Sequence, residues 1–170
     1  MAAAYLDDFA RELRQIGEVG FRRRYVAPVL IVTGRAGRPG DGQPVASDVL
    51  TRPTTMSHRS ASLALVHRVF PIVKASGART GPISVGRTAE NDVIIPEYSI
   101  SKLHCTFELG DGTMAIRDAG STNGTLLNGS LLAADAPVPL CGGETITMGR
   151  FKLVYETPAG FLELVSGLVK

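Results

Sequence analysis

The sequence predicts an all-β fold, a sandwich or a barrel of mostly antiparallel strands, preceded by an amphipathic helix and an extra strand. Three observations carry this prediction: the second half has many short apolar runs, turn residues separate them, and no helical periodicity lies between them. The runs are LALVHRVFPIVK, PISVGR, NDVIIP, HCTFELG, TMAIRD, TLLNGSLL, ETITMGR and FKLVYET.

The N-terminal segment combines a predicted helix and a predicted strand. Residues 4–16 place their apolar side chains on one helical stripe, with Asp7 and Asp8 in the first turn and Gly17 as the stop. We expect this stripe to dock on the main domain or on a second copy of the chain. Residues 26–33, VAPVLIVT, are rich in β-branched residues and predict a buried strand.

The composition changes between these two halves. Residues 35–59 are rich in Gly, Pro, Ser and Thr, which predicts a long loop or linker. We therefore place a domain boundary near Ser60, with an N-terminal segment at 1–60 and the β domain at 61–158. The tail at 159–170 has apolar residues near helical spacing and predicts a short closing helix.

Bulk composition limits the possible partners. Hydrophobic residues make up 44% and charged residues 20% of the 170 residues, which favours a packed core over disorder. A net charge of +2 is too small to favour nucleic acid or membrane as a partner. The N-terminus lacks the basic region of a signal peptide, so we expect a cytoplasmic protein. Cys105 and Cys141 are expected to be reduced, buried thiols.

Three segments bring polar residues to the ends of predicted strands: GRTAEND at 86–92, SISKLHC at 99–105 and DAGSTNGTLLNG at 118–129. In this order and at this spacing they resemble the pattern of forkhead-associated (FHA) domains, over roughly residues 63–156. The resemblance implies an eleven-stranded β-sandwich whose loops at one end bind a phosphothreonine peptide. It implies no cofactor and no catalytic group.

The resemblance implies that five residues bind the phosphopeptide: Arg87, Ser101, Lys102, Thr122 and Asn123. Phosphothreonine carries about −1.5 to −2 charges and three acceptor oxygens, so its site needs fixed donors and at least one cation. An arginine fork and an amide that both donates and accepts suit these tasks. Lys102 stands where the family often has Arg or Asn. We assign structural roles in the loops to Gly86, His104 and Gly124, and expect His104 to fix the turn at Ser101.

Each of these residues also has a purely structural interpretation. Arg87 could pair with Glu90 or Asp92, and the hydroxyls of Ser101 and Thr122 could cap turns. The dipeptides at 123–124 and 128–129, both Asn-Gly, are hairpin signals, and we interpret the second as a hairpin only.

Catalytic and metal sites find little support. Ser101, His104 and either Asp92 or Asp118 could be proposed as a hydrolytic triad, but no nucleophile elbow accompanies them. Neither the histidines nor the two cysteines have metal-ligand spacing, and His67 lies inside an apolar run that we interpret as a strand. The FRRRY segment at 21–25 is interpreted as a solvated edge rather than a nucleic-acid contact.

The leading prediction is a non-catalytic module that recruits a partner phosphorylated by a Ser/Thr protein kinase. One alternative is recognition of the chain's own linker, in cis or between copies, after phosphorylation of Thr51, Thr54 or Thr55. Another is a phosphate-independent assembly protein that self-associates through the helix at 4–16 and the strand at 26–33.

Overall fold

A computed structural model describes residues 4–36, 64–75 and 81–169 of the chain. Within these ranges twelve strands form two sheets. The larger sheet contains, from edge to edge, β1 (Ala4–Tyr5), β3 (Arg68–Pro71), β2 (Val29–Arg35), β12 (Phe151–Glu156), β11 (Thr145–Met148), β8 (Thr125–Leu127) and β9 (Ser130–Leu131). The smaller sheet contains β10 (Val138–Leu140), β7 (Thr113–Asp118), β6 (Cys105–Gly110), β4 (Ile83–Gly86) and β5 (Val93–Ile94). All neighbouring strands are antiparallel except β4 and β5, so the predicted mostly antiparallel architecture is confirmed.

One hydrophobic core joins the two sheets. It contains Leu30 and Leu153 from the larger sheet and Val85, Phe107 and Ile116 from the smaller sheet, all with no exposed surface. Burial alternates along β12, as expected for a strand whose successive side chains point to opposite faces. The alternating pattern of β12 therefore fixes which of its faces meets this core.

Two helices lie over the opposite face of the larger sheet: α1 (Leu6–Arg24) and α2 (Pro158–Val169). A second hydrophobic cluster joins them to β2 and β3, and within it the rings of Phe9 and Phe161 meet edge to face at 5.1 Å. The predicted helix thus docks on the main domain, and the predicted closing helix is present. Neither helix in the described part of the chain combines the length and the apolar character needed to cross a bilayer.

The strand β2 is buried on both faces. Leu30 and Val32 face the core between the sheets, whereas Val29 and Ile31 face the helices. This explains why its sequence is a continuous apolar run rather than an alternating one. Along its edges β2 pairs with β3 and with β12, so it lies inside the larger sheet.

The boundary expected near Ser60 falls outside the described residues and stays a prediction.

Helix α1 is longer than the sequence predicted. Gly17 has φ 68° and ψ 170° and interrupts the helix at the predicted stop, but helical turns resume and end at Arg24. They resume because Phe21 is buried against Tyr25 and Phe161, with ring centroids 4.5 and 5.7 Å apart. The arginines of the FRRRY segment are exposed in the last turn of α1.

Two local predictions were wrong. His67, expected inside a strand, has φ 66° and lies in the turn before β3, where its backbone N–H donates to the Val32 carbonyl. Cys141, expected to be buried, is exposed in the turn that follows β10, whereas Cys105 is buried. Burial raises the pKa of the Cys105 thiol, which keeps it protonated.

Candidate functional site

The five predicted binding residues line one cavity of about 400 Å³. They come from three loops at one end of the sheets: the loop after β4, the loop between β5 and β6, and the loop between β7 and β8. Residues separated by more than thirty positions in the sequence are therefore brought to one opening. The same cavity is lined by Tyr98, Ser99, Ile100, Leu103 and Gly120.

The loop after β4 is held against the loop that follows β5 by a glycine. A Cβ atom on Gly86 would lie 2.1 Å from the carbonyl oxygen of Lys102, so no other residue fits without moving that backbone. The side-chain amide of Asn91, which is buried, donates to the same oxygen at 2.6 Å. The backbone N–H of Arg87 donates to the Ser101 carbonyl at 3.1 Å. These contacts fix the start of the Arg87 side chain beside Ser101.

The Arg87 side chain is exposed and forms no ion pair with any residue that the structure describes. Asp92, one of its two expected structural partners, instead accepts hydrogen bonds from Lys74, Ser84 and the backbone of Ala75. Burial alone would raise the pKa of Asp92, but these donors outweigh burial and lower it to about 2. Asp92 is thus not an ion-pair partner of Arg87, which lines the cavity.

Ser101 links two of the loops through its hydroxyl. Its Oγ accepts the backbone N–H of Thr122 at 2.9 Å and lies 3.4 Å from the Thr122 hydroxyl. Its backbone N–H, which could have served a ligand, donates to Nδ1 of His104 at 3.1 Å. The polar group that Ser101 presents at the cavity is therefore its hydroxyl.

His104 is buried beneath this turn. Burial lowers the pKa of the imidazole, and the charge of Asp118 and the backbone of Gly124 only partly oppose this effect. A neutral ring is needed because Nδ1 accepts a hydrogen bond and so carries no proton. The contact is with the backbone N–H of Ser101 and not with its hydroxyl.

The loop between β7 and β8 is organised by a buried carboxylate. Asp118 accepts from the backbone N–H groups of Gly120 and Ser121, from the Ser121 hydroxyl, and from the Thr125 hydroxyl at 2.6 Å. Burial would raise the pKa of Asp118, but these hydrogen bonds hold it below its usual value. Gly124 closes the loop with φ 74°, and a Cβ there would lie 2.4 Å from the Leu131 side chain.

This loop presents Thr122 and Asn123, both exposed, at the cavity. The Asn123 amide nitrogen donates to the carbonyl of Ser99 at 3.1 Å. Its amide oxygen and one remaining amide hydrogen are left for other partners. Asn123 can therefore both accept from and donate to a peptide main chain.

The sequence did not point to a polar group behind the loop that follows β5. Glu97 is buried and accepts from both Nε and Nη2 of Arg150, at 3.2 and 2.7 Å. It also accepts from the backbone and the hydroxyl of Ser99. The Arg150 guanidinium lies 4.0 Å over the ring of Tyr98. Arg150 and Glu97 are 53 positions apart, so no local motif could have joined them.

The charged side chains that line the cavity are all cations. Its described lining contains the cations Arg87 and Lys102 and no carboxylate. Hydroxyl and amide groups from Ser99, Ser101, Thr122 and Asn123 supply the remaining polar surface. Such a lining, open to solvent on loops carried by a rigid sheet, suits an anionic ligand with several acceptor oxygens.

Comparison with known proteins agrees with the motif resemblance. The FHA domain family model matches residues 83–149, a range that holds every predicted binding residue. Over this range the chain is therefore similar to FHA domains.

The curated relatives are similar to this chain over about 75 residues and not over their whole length. The ABC transporter ATP-binding/permease protein Rv1747 of Mycobacterium tuberculosis is 39% identical over 75 residues, which are 44% of this chain and 8% of that protein. The glycogen accumulation regulator GarA of Mycolicibacterium smegmatis is 34% identical over 74 residues, 44% of this chain and 45% of GarA. The chain thus covers less than half the length of either relative.

Among solved structures, the FHA domain of an Arabidopsis thaliana hypothetical protein has a TM-score of 0.49 at 23% identity. The match covers 77% of this chain and 85% of that chain.

Proposed function

We propose that this protein is a non-catalytic module that binds threonine-phosphorylated segments of partner proteins, the products of a Ser/Thr protein kinase. The observation that carries the proposal is a cavity, within the range that matches the FHA family model, lined by two cations, four hydroxyl side chains and one amide, with no carboxylate among its described lining. A phosphate dianion is the ligand whose charge and acceptor oxygens this lining matches.

The five predicted binding residues have different roles, which follow from the chemistry of their side chains. Arg87 offers a guanidinium fork that can donate two parallel hydrogen bonds to the phosphate, and Ser101 adds a hydroxyl donor. Lys102 adds a second cation without the fork geometry. Thr122 contacts the phosphothreonine, and Asn123 holds the peptide main chain through its amide.

The sandwich arrangement belongs to the same proposal. Leu30 and Leu153 of the larger sheet share one buried cluster with Phe107 and Ile116 of the smaller sheet, which supports two sheets packed face to face. The smaller sheet supplies the strands that flank the binding loops except β8, which belongs to the larger sheet. We propose that the domain at 61–158 also requires β2, which lies between β3 and β12.

A hydrolytic role fits the geometry poorly. His104 is buried, and its Nδ1 contacts the backbone N–H of Ser101 rather than its hydroxyl. Asp118 is occupied by the hydrogen bonds of its own loop. A general base must reach the proton that it removes, and no such contact reaches Ser101 Oγ within the described residues.

The two alternatives stand differently. The assembly alternative needs a free surface on the helix at 4–16 and on the strand at 26–33. β2 is paired along both of its edges, and the apolar face of α1 packs on α2 and the larger sheet. These contacts argue against the assembly alternative. Self-recognition of Thr51, Thr54 or Thr55 concerns residues outside the described part of the chain and stays a prediction.

The test is an array of matched peptides that carry phosphothreonine, phosphoserine or unmodified threonine at one position. We expect phosphothreonine peptides to bind in the micromolar range, about −8 kcal/mol, and unmodified peptides to show no measurable binding. Binding of equal strength to modified and unmodified peptides would overturn the proposal.

A further inference from the structure

We propose that Arg150, in the turn between β11 and β12, is a positioning residue for the peptide-binding loops. It acts on Asn123 through Glu97 and Ser99. The inference rests on the phosphopeptide-binding function proposed above, and it identifies a residue outside the three loop motifs that sets how the peptide main chain is held.

The first link joins Arg150 to Glu97. Both Nε and Nη2 of Arg150 donate to Glu97 Oε1, at 3.2 and 2.7 Å, and the Glu97 side chain is only 3% exposed. A guanidinium can make this forked contact because its two N–H groups point in one direction. Burial would raise the pKa of Glu97, but hydrogen bonds from Ser99 and Arg150 outweigh burial and lower it. Glu97 is therefore held as a carboxylate.

The second link joins Glu97 to Ser99. Glu97 Oε2 accepts the backbone N–H of Ser99 at 2.8 Å and also its hydroxyl. The backbone N–H of Arg150 donates to Ser99 Oγ at 3.1 Å. The neighbouring Gly149 packs so closely that a Cβ there would lie 2.4 Å from the Ser99 carbonyl oxygen. Ser99 is thus fixed by hydrogen bonds to Glu97, by one hydrogen bond from the turn before β12 and by one close backbone contact with that turn.

The third link joins Ser99 to Asn123. The Ser99 carbonyl accepts the Asn123 amide at 3.1 Å, which is the one side-chain hydrogen bond of Asn123 within the described residues. The direction of that amide therefore depends on where Ser99 sits. Arg150 also stacks 4.0 Å over the ring of Tyr98, which lines the cavity beside Ser99.

A second Arg–Glu pair in the molecule provides a matched control. Arg117 and Glu108 form an ion pair across β6 and β7, with side chains that are 36% and 35% exposed. Neither residue lines the cavity. Exposed pairs of this kind contribute little to stability. Arg117→Met should therefore leave peptide binding unchanged.

The test is a double-mutant cycle of Arg150→Met and Asn123→Ala, with affinity for one phosphothreonine peptide measured by calorimetry. We expect Arg150→Met to weaken binding about tenfold, and the double variant to bind no more weakly than Asn123→Ala alone. This loss is non-additive because Arg150 acts through Asn123. Additive losses, or an Arg150→Met variant with unchanged affinity, would overturn the inference.

Arg150→Met leaves Glu97 without its partner, so a conservative variant accompanies it. Arg150→Lys keeps a positive charge beside Glu97 and loses the fork. We expect it to fold, as thermal unfolding will show, and to give a smaller loss that is again non-additive with Asn123→Ala. If Arg150→Lys binds as tightly as the unaltered chain, the forked contact does not position the loop.

A measurement on the unliganded protein separates this inference from the proposed function. The side-chain amide resonances of Asn123 should shift in Arg150→Lys and stay in place in Arg117→Met. If the unaltered chain shows no phosphate-dependent binding, the proposed function fails and this spectroscopic result still decides the positioning role. If the unaltered chain binds and the Asn123 resonances do not move, only the positioning role fails.

Discussion

Single residues determine how closely the binding loops approach one another. Gly86 is the sharpest case, because a side chain there would have to occupy the position of the Lys102 carbonyl, 2.1 Å from the added Cβ. The role of this glycine is close packing and does not require an unusual φ angle. The sequence indicated Gly86 through its place next to Arg87, but the atom that excludes a larger residue lies on another loop.

Gly86→Ala should therefore separate the two loops. We expect phosphopeptide affinity to fall at least tenfold, because Arg87 and Ser101 would no longer share one backbone hydrogen bond. Gly110→Ala is the control, since a Cβ on Gly110 has nothing within 4 Å. Calorimetry with one phosphothreonine peptide measures both variants. Tight binding by Gly86→Ala would show that the loops tolerate the separation.

At the scale of elements, sequence patterns predicted strands and turns better than long-range contacts. The hairpin signal at Asn128 and Gly129 is confirmed, with φ 50° and 85° between β8 and β9. The same dipeptide at Asn123 and Gly124 lies in a binding loop instead, because Asp118 gathers the backbone of that loop around itself. A dipeptide specifies a turn, whereas the buried carboxylate that shapes the loop acts from several residues away.

Because His104 is buried beneath the turn at Ser101, we expect the stability of the protein to depend on pH. The pKa of His104 is lowered by burial, so below about pH 6.5 the unfolded chain binds a proton that the folded chain does not. The contribution of His104 to the free energy of unfolding is present above the pKa that this residue has in the unfolded chain. It is lost as the pH falls toward the lower pKa that His104 has in the folded chain. We expect the free energy of unfolding to decrease between pH 6.5 and pH 5, by at most about 1.4 kcal/mol per pH unit.

Urea unfolding at several pH values measures this slope. In His104→Gln the slope between pH 6.5 and pH 5 should become much shallower, because the amide oxygen can accept from Ser101 without taking up a proton and only the carboxyl groups with lowered pKa still contribute. His67→Asn is the control, since Asn tolerates the φ of 66° at that turn. A slope that persists undiminished in His104→Gln would assign the pH dependence to other groups.

At the scale of the whole molecule, the elements of the N-terminal segment contribute to different hydrophobic clusters. Helix α1 contributes to the outer cluster only, whereas β2 contributes to both clusters and pairs along both edges. Composition placed β2 before a linker and hence outside the main domain. The pairing partners of β2 lie after that linker, and neither turn signals nor periodicity can reveal which distant strands pair.

Two N-terminal deletions test this division. Removal of residues 1–24 should lower the melting temperature and preserve peptide binding, because the helix-covered face of the larger sheet and the β3 edge that pairs with β1 become exposed, and neither borders the cavity. Removal of residues 1–35 should abolish cooperative unfolding, because Leu30 and Val32 leave the core between the sheets. Circular dichroism and calorimetry measure both outcomes. Cooperative unfolding without residues 1–35 would show that the domain is complete after the linker.

The central claim is that the cavity between the three loops binds phosphothreonine through Arg87. The most direct measurement is calorimetry of one phosphothreonine peptide with the unaltered chain, with Arg87→Ala and with Arg117→Ala, whose arginine lies outside the cavity. We predict that Arg87→Ala shows no measurable binding and that Arg117→Ala binds like the unaltered chain. Equal affinity in Arg87→Ala and in the unaltered chain would contradict the assignment of the site.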